Sequence, residues 1–213
     1  MKPKLLIAGC GSVARYVIDI ISVENNFSIV GAVDLESGSM IGEKINGIKV
    51  LCRLDDINDI YDPSEISIIL GHGDVSRKYE VFEYFKQKNF KFVSVISSKS
   101  SISITARIGF GCIINPGAVI MPNVIIGNHV IIHSQTVIEH DNIIGDFTNI
   151  APGVSLGGNV TIGEKSYIYT GAIVVPHIRI GNNCIIGAGA VVIRDVMDKQ
   201  TVVGVPAKPI VGT

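Results

Sequence analysis

The chain has 213 residues, 47% hydrophobic and 17% charged, with a formal net charge of −1. That balance, with no long basic run, argues against nucleic acid as a partner. There is no signal-peptide layout and no apolar run long enough to cross a membrane, so a cytoplasmic location is expected.

The length fits one large or two small domains. Charge below the usual quarter suggests that some side surface is buried against other subunits. Cys10, Cys52, Cys112 and Cys184 are scattered without metal-type pairing.

Lys4-Leu5-Leu6-Ile7-Ala8 reads as a strand. A helix follows to about Glu24, with Val13, Val17, Ile20 and Ile21 on one face. Phe27 to Val33 reads as a second strand, closed by Asp34, and a Gly-rich polar stretch runs from Glu36 to Gly47. Further strands are expected at Ile48–Leu51, Ile66–Leu70 and Phe90–Ile96, with helices near Asp55–Tyr61 and over Val75–Lys88. Alternating strands and helices predict a parallel α/β sheet with right-handed crossovers.

Gly9-x-Gly11-x-x-Ala14, between a strand and a helix, has the form of a dinucleotide fingerprint. Glycines let backbone approach a pyrophosphate, and the helix N-terminus offers free N–H groups and positive dipole. A purely structural tight turn would also use glycine. A full dinucleotide needs two mononucleotide halves and only one fits here. The expected ligand is therefore a single nucleotide, its diphosphate on Gly9, Cys10, Gly11 and Ser12. Asp34-Leu35 would meet ribose or base, and Gly71-His72 lies on a loop of the same sheet. Arg77 reads as a surface residue.

Ser97 to Ser101 reads as a hinge, and from Ile102 to Val192 every sixth residue is aliphatic. Period six fits neither an amphipathic helix nor an alternating strand; it fits a solenoid with three hexads per triangular coil. The expected fold is an α/β Rossmann-like domain over residues 1–97 and an all-β parallel β-solenoid over 98–213. After Val192 the rule lapses into an extended tail.

Residues eighteen apart should stack. His129 then lies between Gly111 and Phe147, His133 between Asn115 and Ala151, His140 between Pro122 and Gly158, and His177 between Asn159 and Asp195. No two histidines stack, so no metal is expected. In Glu139-His140-Asp141, Asp141 could fix the imidazole tautomer as in base–orienter pairs. Gly158 would leave a cleft beside His140 and an N–H for a developing oxyanion. The alternative is a polar corner facing water.

The hexads, His140-Asp141, Gly158-Asn159 and the tail Val203-Gly204-Val205-Pro206-Ala207-Lys208 resemble the left-handed β-helix (hexapeptide-repeat) acyltransferases. The added α/β domain resembles the bacterial nucleotide-sugar N-acetyltransferase branch (PglD-like), with the sialic acid O-acetyltransferases close by. The resemblance implies a homotrimer with active sites between subunits, acetyl-CoA as co-substrate along the solenoid, and a nucleotide-sugar acceptor. That acceptor would be a 4-amino-4,6-dideoxyhexose for surface glycans. It also implies His140 as general base, Asp141 as its orienter and Gly158 N–H as oxyanion donor. Thr170 and Ala188 would meet the pantetheine arm, Pro206 and Lys208 the CoA end, and His133 the sugar. Val13 stands where the branch has histidine, and Asp34-Leu35 where it often has paired acids. The base therefore stays open, with UDP as default and GDP or dTDP as alternatives. An O-acetyltransferase and a non-catalytic nucleotide-binding trimeric scaffold are the competing readings.

Overall fold

Leu5, Leu6, Ile7 and Ala8 have no solvent exposure, as a central strand covered on both faces requires. In the computed structural model, which describes residues 2–210, they form β1 (Lys4–Ala8). The chain forms two compact units, Met1–Val95 and Ile96–Thr213.

The first unit continues through α1 (Ser12–Glu24), β2 (Ser28–Asp34), β3 (Lys44–Ile45), β4 (Ile48–Arg53), β5 (Ser67–Leu70), α2 (Val75–Gln87) and β6 (Lys91–Phe92). The sheet order is β3-β4-β2-β1-β5-β6. All neighbours run parallel except β3 and β4. The chain departs from β1 toward β2 on one side and β5 on the other, so the loops after β1 and β5 open at the switch point of the sheet. On α1, Val13, Ala14, Val17, Ile18, Ile20 and Ile21 are buried, and left-handed Asn25 stops the helix by donating its N–H to Ile21 O.

Three local expectations are revised. The polar stretch before Ile48 contains β3, because Asn46-Gly47 adopts left-handed φ values of 43° and 85° and closes a two-residue hairpin. The helix expected near Asp55–Tyr61 is a 3-10 turn over Leu54–Asp59. The last strand is divided: β6 pairs with β5, whereas Val95–Ile96 belongs to the first solenoid sheet. The serine run is accordingly no free hinge. Ser97 is buried, its N–H donates to Ile114 O at 3.0 Å, and Ser101 N–H donates to Ala118 O at 2.8 Å.

The second unit is a parallel β-solenoid. Successive hexads fall on three faces in turn, for example Ile113–Ile114, Val119–Ile120 and Ile125–Ile126. Each pairs in register with the strand eighteen residues on, such as Val119 with Val137 and Ile120 with Ile138. The repeated aliphatics, from Ile114 to Val192, form one continuous buried cluster. Each fully buried isoleucine contributes roughly 1.5–3 kcal/mol.

The corners follow a rule of their own. In every hexad from Ile108 to Ile186 the residue three places after the aliphatic has left-handed φ, as at Gly111, Asn123, His129, Asp141, Asn159 and Gly189. Most of these residues donate their N–H one coil down, as Asn159 does to His140 O at 3.0 Å.

Beyond Val192 the coil continues, two residues short. Val196 bridges Ile180, and Thr201–Val203 pairs parallel with Ile185–Ile186, sixteen residues earlier. Lys208–Pro209 returns antiparallel on Thr201–Val203, so a hairpin ends the solenoid where an extended tail was expected. The shortened coil places Asp195 over Arg179, whose N–H it accepts at 2.8 Å, and not over His177.

Candidate active site

On the solenoid, Pro122, His140, Gly158 and Pro176 share one corner column. Asp141 occupies the left-handed slot, φ 59°, which turns its side chain back beside its neighbour. His140 Nδ1 lies 2.8 Å from Asp141 Oδ2, leaving Nε2 free to receive a proton. The other carboxylate oxygen, Oδ1, accepts from Asn123 Nδ2 at 3.0 Å. These two hydrogen bonds, that from His140 first, hold the Asp141 carboxyl below the ordinary carboxylate range. Both side chains are accessible, at 54% for His140 and 44% for Asp141.

Gly158 makes this geometry possible. A Cβ there would stand 2.6 Å from both Cε1 and Nε2 of His140, so the imidazole lies on the bare Cα. The Gly158 carbonyl accepts from His177 N–H, while its own N–H has no acceptor among the described residues. A basic nitrogen with its tautomer set, beside an unused backbone donor, can take a proton from a nucleophile and stabilise an oxyanion.

The other expected solenoid residues stand elsewhere. His133 is buried at the corner after the preceding face, 3.4 Å from Asn115 Nδ2. Thr170 and Ala188 lie exposed in a column at that same corner. Within one chain they therefore do not join His140 and Gly158. Lys208 lines a cavity of about 320 Å³ with Arg194, Asp195, Gln200 and Ala207, whereas Pro206 is exposed in the turn before it. His129 packs against Gly111 and stacks on Phe147 with ring centroids 4.8 Å apart. Among the described residues, no group of three or more His, Cys, Asp or Glu side chains could hold a metal ion.

In the first unit, Gly9 and Gly71 pass so closely that a Cβ on Gly9 would lie 2.6 Å from Gly71 O, and Gly9 has φ +131°. A cavity of about 280 Å³ opens beside them, lined by Cys10, Gly11, Asp34, Leu35, Glu36, Ser39, Met40 and His72. Ser12 begins α1, whose first turn carries no acidic residue and no side-chain cap.

Asp34 is buried in the cavity wall, and its two oxygens accept from Glu36 N–H at 2.8 Å and Met40 N–H at 3.1 Å, so it shapes that wall as well as lining the cavity. His72 Nδ1 accepts from Asp74 N–H at 3.2 Å, which directs Nε2 to Glu36 at 3.6 Å. Arg77 donates to Leu35 O and pairs with Glu80, tying α2 to the cavity wall. Cys10 donates its thiol to Val33 O, and burial, with the Asp34 charge, pushes its pKa up to about 11.

Two sequence signals were overlooked. The left-handed slot after each aliphatic is rich in Gly, Asn and Asp, which tolerate that conformation best. Asn123 occupies that slot one coil below Asp141.

Residues 4–85 match the PglD N-terminal domain family, and residues 105–140 and 159–194 match the bacterial transferase hexapeptide (six repeats) family. The chain is 28% identical to the acetyltransferase domain of PglB from Neisseria gonorrhoeae, solved with acetyl coenzyme A, with a TM-score of 0.89 over 99% of this chain and 100% of that one. PerB from Caulobacter crescentus, solved with CoA and GDP-perosamine, is 27% identical, with a TM-score of 0.88 over 98% and 97% of the two chains. GDP-perosamine N-acetyltransferase of Escherichia coli O157:H7 is 29% identical over 189 residues, 86% of this chain and 82% of that protein. Serine acetyltransferases are matched over a shorter stretch: the chain is 42% identical to that of Bacillus pumilus over 76 residues, 35% of that protein's length.

Proposed function

The chain belongs to the hexapeptide-repeat acyltransferases, in the branch that carries a PglD-type N-terminal domain, and on that premise we propose that it acetylates the amine of a nucleotide-linked amino sugar with acetyl-CoA. The observation that carries the reading is the His140 imidazole, oriented by Asp141 and seated on Gly158. His140 Nε2 takes the amine proton as the nitrogen attacks the thioester carbonyl. The Gly158 N–H stabilises the negative charge that develops on the carbonyl oxygen. Collapse breaks the carbon–sulfur bond, and His140 returns the proton to the departing thiolate.

The nucleotide is assigned to the first unit. Its diphosphate would meet the N-terminus of α1 at Gly11 and Ser12, with Gly9 and Gly71 keeping the backbone low enough for approach. Cys10, Leu35 and His72 would line the nucleoside, with Asp34 holding the wall. The relatives with a named sugar carry GDP-perosamine, which favours GDP over the UDP taken as default, and a 4-amino-4,6-dideoxyhexose as the sugar.

A homotrimer supplies what one chain lacks. His140 and Gly158 stand at one corner; His133, Thr170 and Ala188 stand at another, so a neighbouring copy is needed to set them around one thioester and sugar. Exposed Ile125 and Ile143, adjacent on one face, suit burial between copies. Lys208 would meet the phosphate end of CoA, with Pro206 beside it. A cytoplasmic location, where acetyl-CoA would be at hand, goes with this reading. No helix among the described residues is long and apolar enough to cross a membrane.

The test is thiol release from acetyl-CoA with a panel of GDP-, UDP- and dTDP-linked amino and hydroxy sugars. Amine-dependent release is expected, and His140→Ala should lower kcat by about 10²–10⁴-fold with the oligomer intact. Release with hydroxy sugars alone would move the assignment to O-acetylation, and near-normal turnover of the variant would remove His140 as the base.

A further inference from the structure

We infer that Asn123 is a positioning residue for the transfer, holding Asp141 in the rotamer that orients His140. The inference rests on the acyltransfer reading for its activity arm alone; its geometry is independent of substrate.

Asp141 has two carboxylate oxygens and they are used differently. Oδ2 faces His140 Nδ1 at 2.8 Å, and Oδ1 accepts from Asn123 Nδ2 at 3.0 Å. An accessible aspartate beside a histidine would otherwise exchange rotamers freely, since nothing buries it. The Asn123 amide selects one rotamer, and it can do so because the repeat stacks it on Asp141 eighteen residues away, both in the left-handed slot, with φ of 62° and 59°.

Asn123 is itself anchored. Its N–H donates to Thr105 Oγ1 at 3.0 Å, and Thr105 in turn contacts Ser103 Oγ at 3.1 Å. Most neighbouring corners place a backbone carbonyl where Thr105 places a hydroxyl. A hydrogen-bonded column thus rises one coil per step, from Thr105 to Asn123 to Asp141, and ends on the imidazole beneath Gly158. The Asn123 bond is also the second cause of the lowered Asp141 pKa, which keeps the acceptor ionised. Outer partners of this kind fix histidine tautomers elsewhere, and their loss typically costs about 10–100-fold in function.

The left-handed backbone decides the variants. Asn123→Ala would add strain of its own, so Asn123→Gly is the clean deletion, and Asn123→Asp keeps shape and backbone while replacing the donor by an acceptor. Nitrogen-15 NMR of selectively labelled histidine in the full chain reads the His140 tautomer without any substrate. The wild type should hold the proton on Nδ1, and Asn123→Gly should relax toward a mixture. With acetyl-CoA and the amino-sugar acceptor, kcat should fall by on the order of tenfold or more with KM for acetyl-CoA unchanged. Asn123→Asp should be slower still at neutral pH. Its ratio to wild type should recover as pH falls through the carboxylate range, when a protonated Asp can donate again. A tautomer ratio in Asn123→Gly equal to wild type overturns the inference. So does loss of activity in Asn123→Asp that is independent of pH. If no acceptor yields thiol in the wild type, the functional reading fails, and the tautomer ratio still decides the role of Asn123.

Discussion

Gly158→Ala should separate catalysis from folding. The added Cβ would meet Cε1 and Nε2 of His140 at 2.6 Å and Cδ2 at 3.2 Å. Ordinary carbon contacts begin near 3.5 Å, so the ring must retreat by on the order of 1 Å. Gly158 is outside the left-handed region, so its backbone accepts alanine without strain, and such a replacement is neutral or stabilising by about 0.4–1 kcal/mol through the unfolded chain. The obstacle is an accessible side chain that can swing toward solvent. In doing so it leaves Asp141 Oδ2, 2.8 Å away in the native chain, and its place against Gly158. A displacement of that size typically costs about 10²-fold in rate. Calorimetry should find Tm unchanged or slightly raised, and thiol release should find kcat lower by about that factor. Near-normal turnover would show that the imidazole does not act from its place against Gly158. A steep fall in Tm would show that the ring cannot yield.

Three further outcomes are expected. Gly9→Ala combines φ +131° with a Cβ 2.6 Å from Gly71 O, and backbone strain alone costs about 1–3 kcal/mol; urea titration should show the first unit losing at least that much, and an unchanged midpoint would refute the close crossing. Asp198 accepts from Asn182 N–H and side chain across the shortened coil, which holds its carboxyl below the ordinary carboxylate range. A depressed carboxyl stabilises above its unfolded pKa and loses that contribution as pH falls through the folded value; the Tm gap between wild type and Asp198→Asn should persist from pH 7 to 5 and close below roughly pH 4, and a gap that widens in acid would reverse the sign. Cys10, with its pKa near 11, should react slowly with iodoacetamide at pH 8 and quickly only as pH approaches that value, so rapid alkylation at pH 8 would contradict its burial against Val33.

What the sequence made legible is what the repeat enforces. A six-residue aliphatic period fixes three faces and an eighteen-residue coil, and simple counting then places His129 beside Gly111 and Phe147, and Gly158 over His140. Counting fails where the coil length changes. Two fewer residues after Val192 bring Asp195 to Arg179, and the buried aliphatics resume two residues early, at Val196 and Val202, before the closing hairpin. The hairpin at Asn46-Gly47 carried a strong turn signal inside a stretch read only as polar. Asp34 illustrates a different limit. Its position at the end of β2 was legible, but its bonds to the Glu36 and Met40 N–H groups were not, because carboxylates and backbone donors in a short loop satisfy one another only after the loop has closed.

The left-handed slot explains how the proposed active site comes to lie at this corner. A solenoid coil must turn three times, and each turn needs one residue with positive φ, which Gly, Asn and Asp supply most cheaply. Glycine leaves the corner bare, as at Gly111, Gly153 and Gly189. Asn and Asp instead return a short polar side chain to the corner, where the parallel stacking sets it on the same slot of the next coil. Asn123 below Asp141 is one such pair, and it joins a donor to an acceptor. His140 precedes Asp141 by one residue, so the slot that bends the chain also delivers a carboxylate to the imidazole. Gly158 completes the arrangement by having no side chain in a column that carries proline on its far side and histidine on its near side. The proposed catalytic constellation therefore requires no departure from the repeat. It needs only that four positions the fold already specifies be filled by Asn, His-Asp and Gly, and exchanging any one for another residue compatible with the coil should leave the solenoid standing and the transfer impaired.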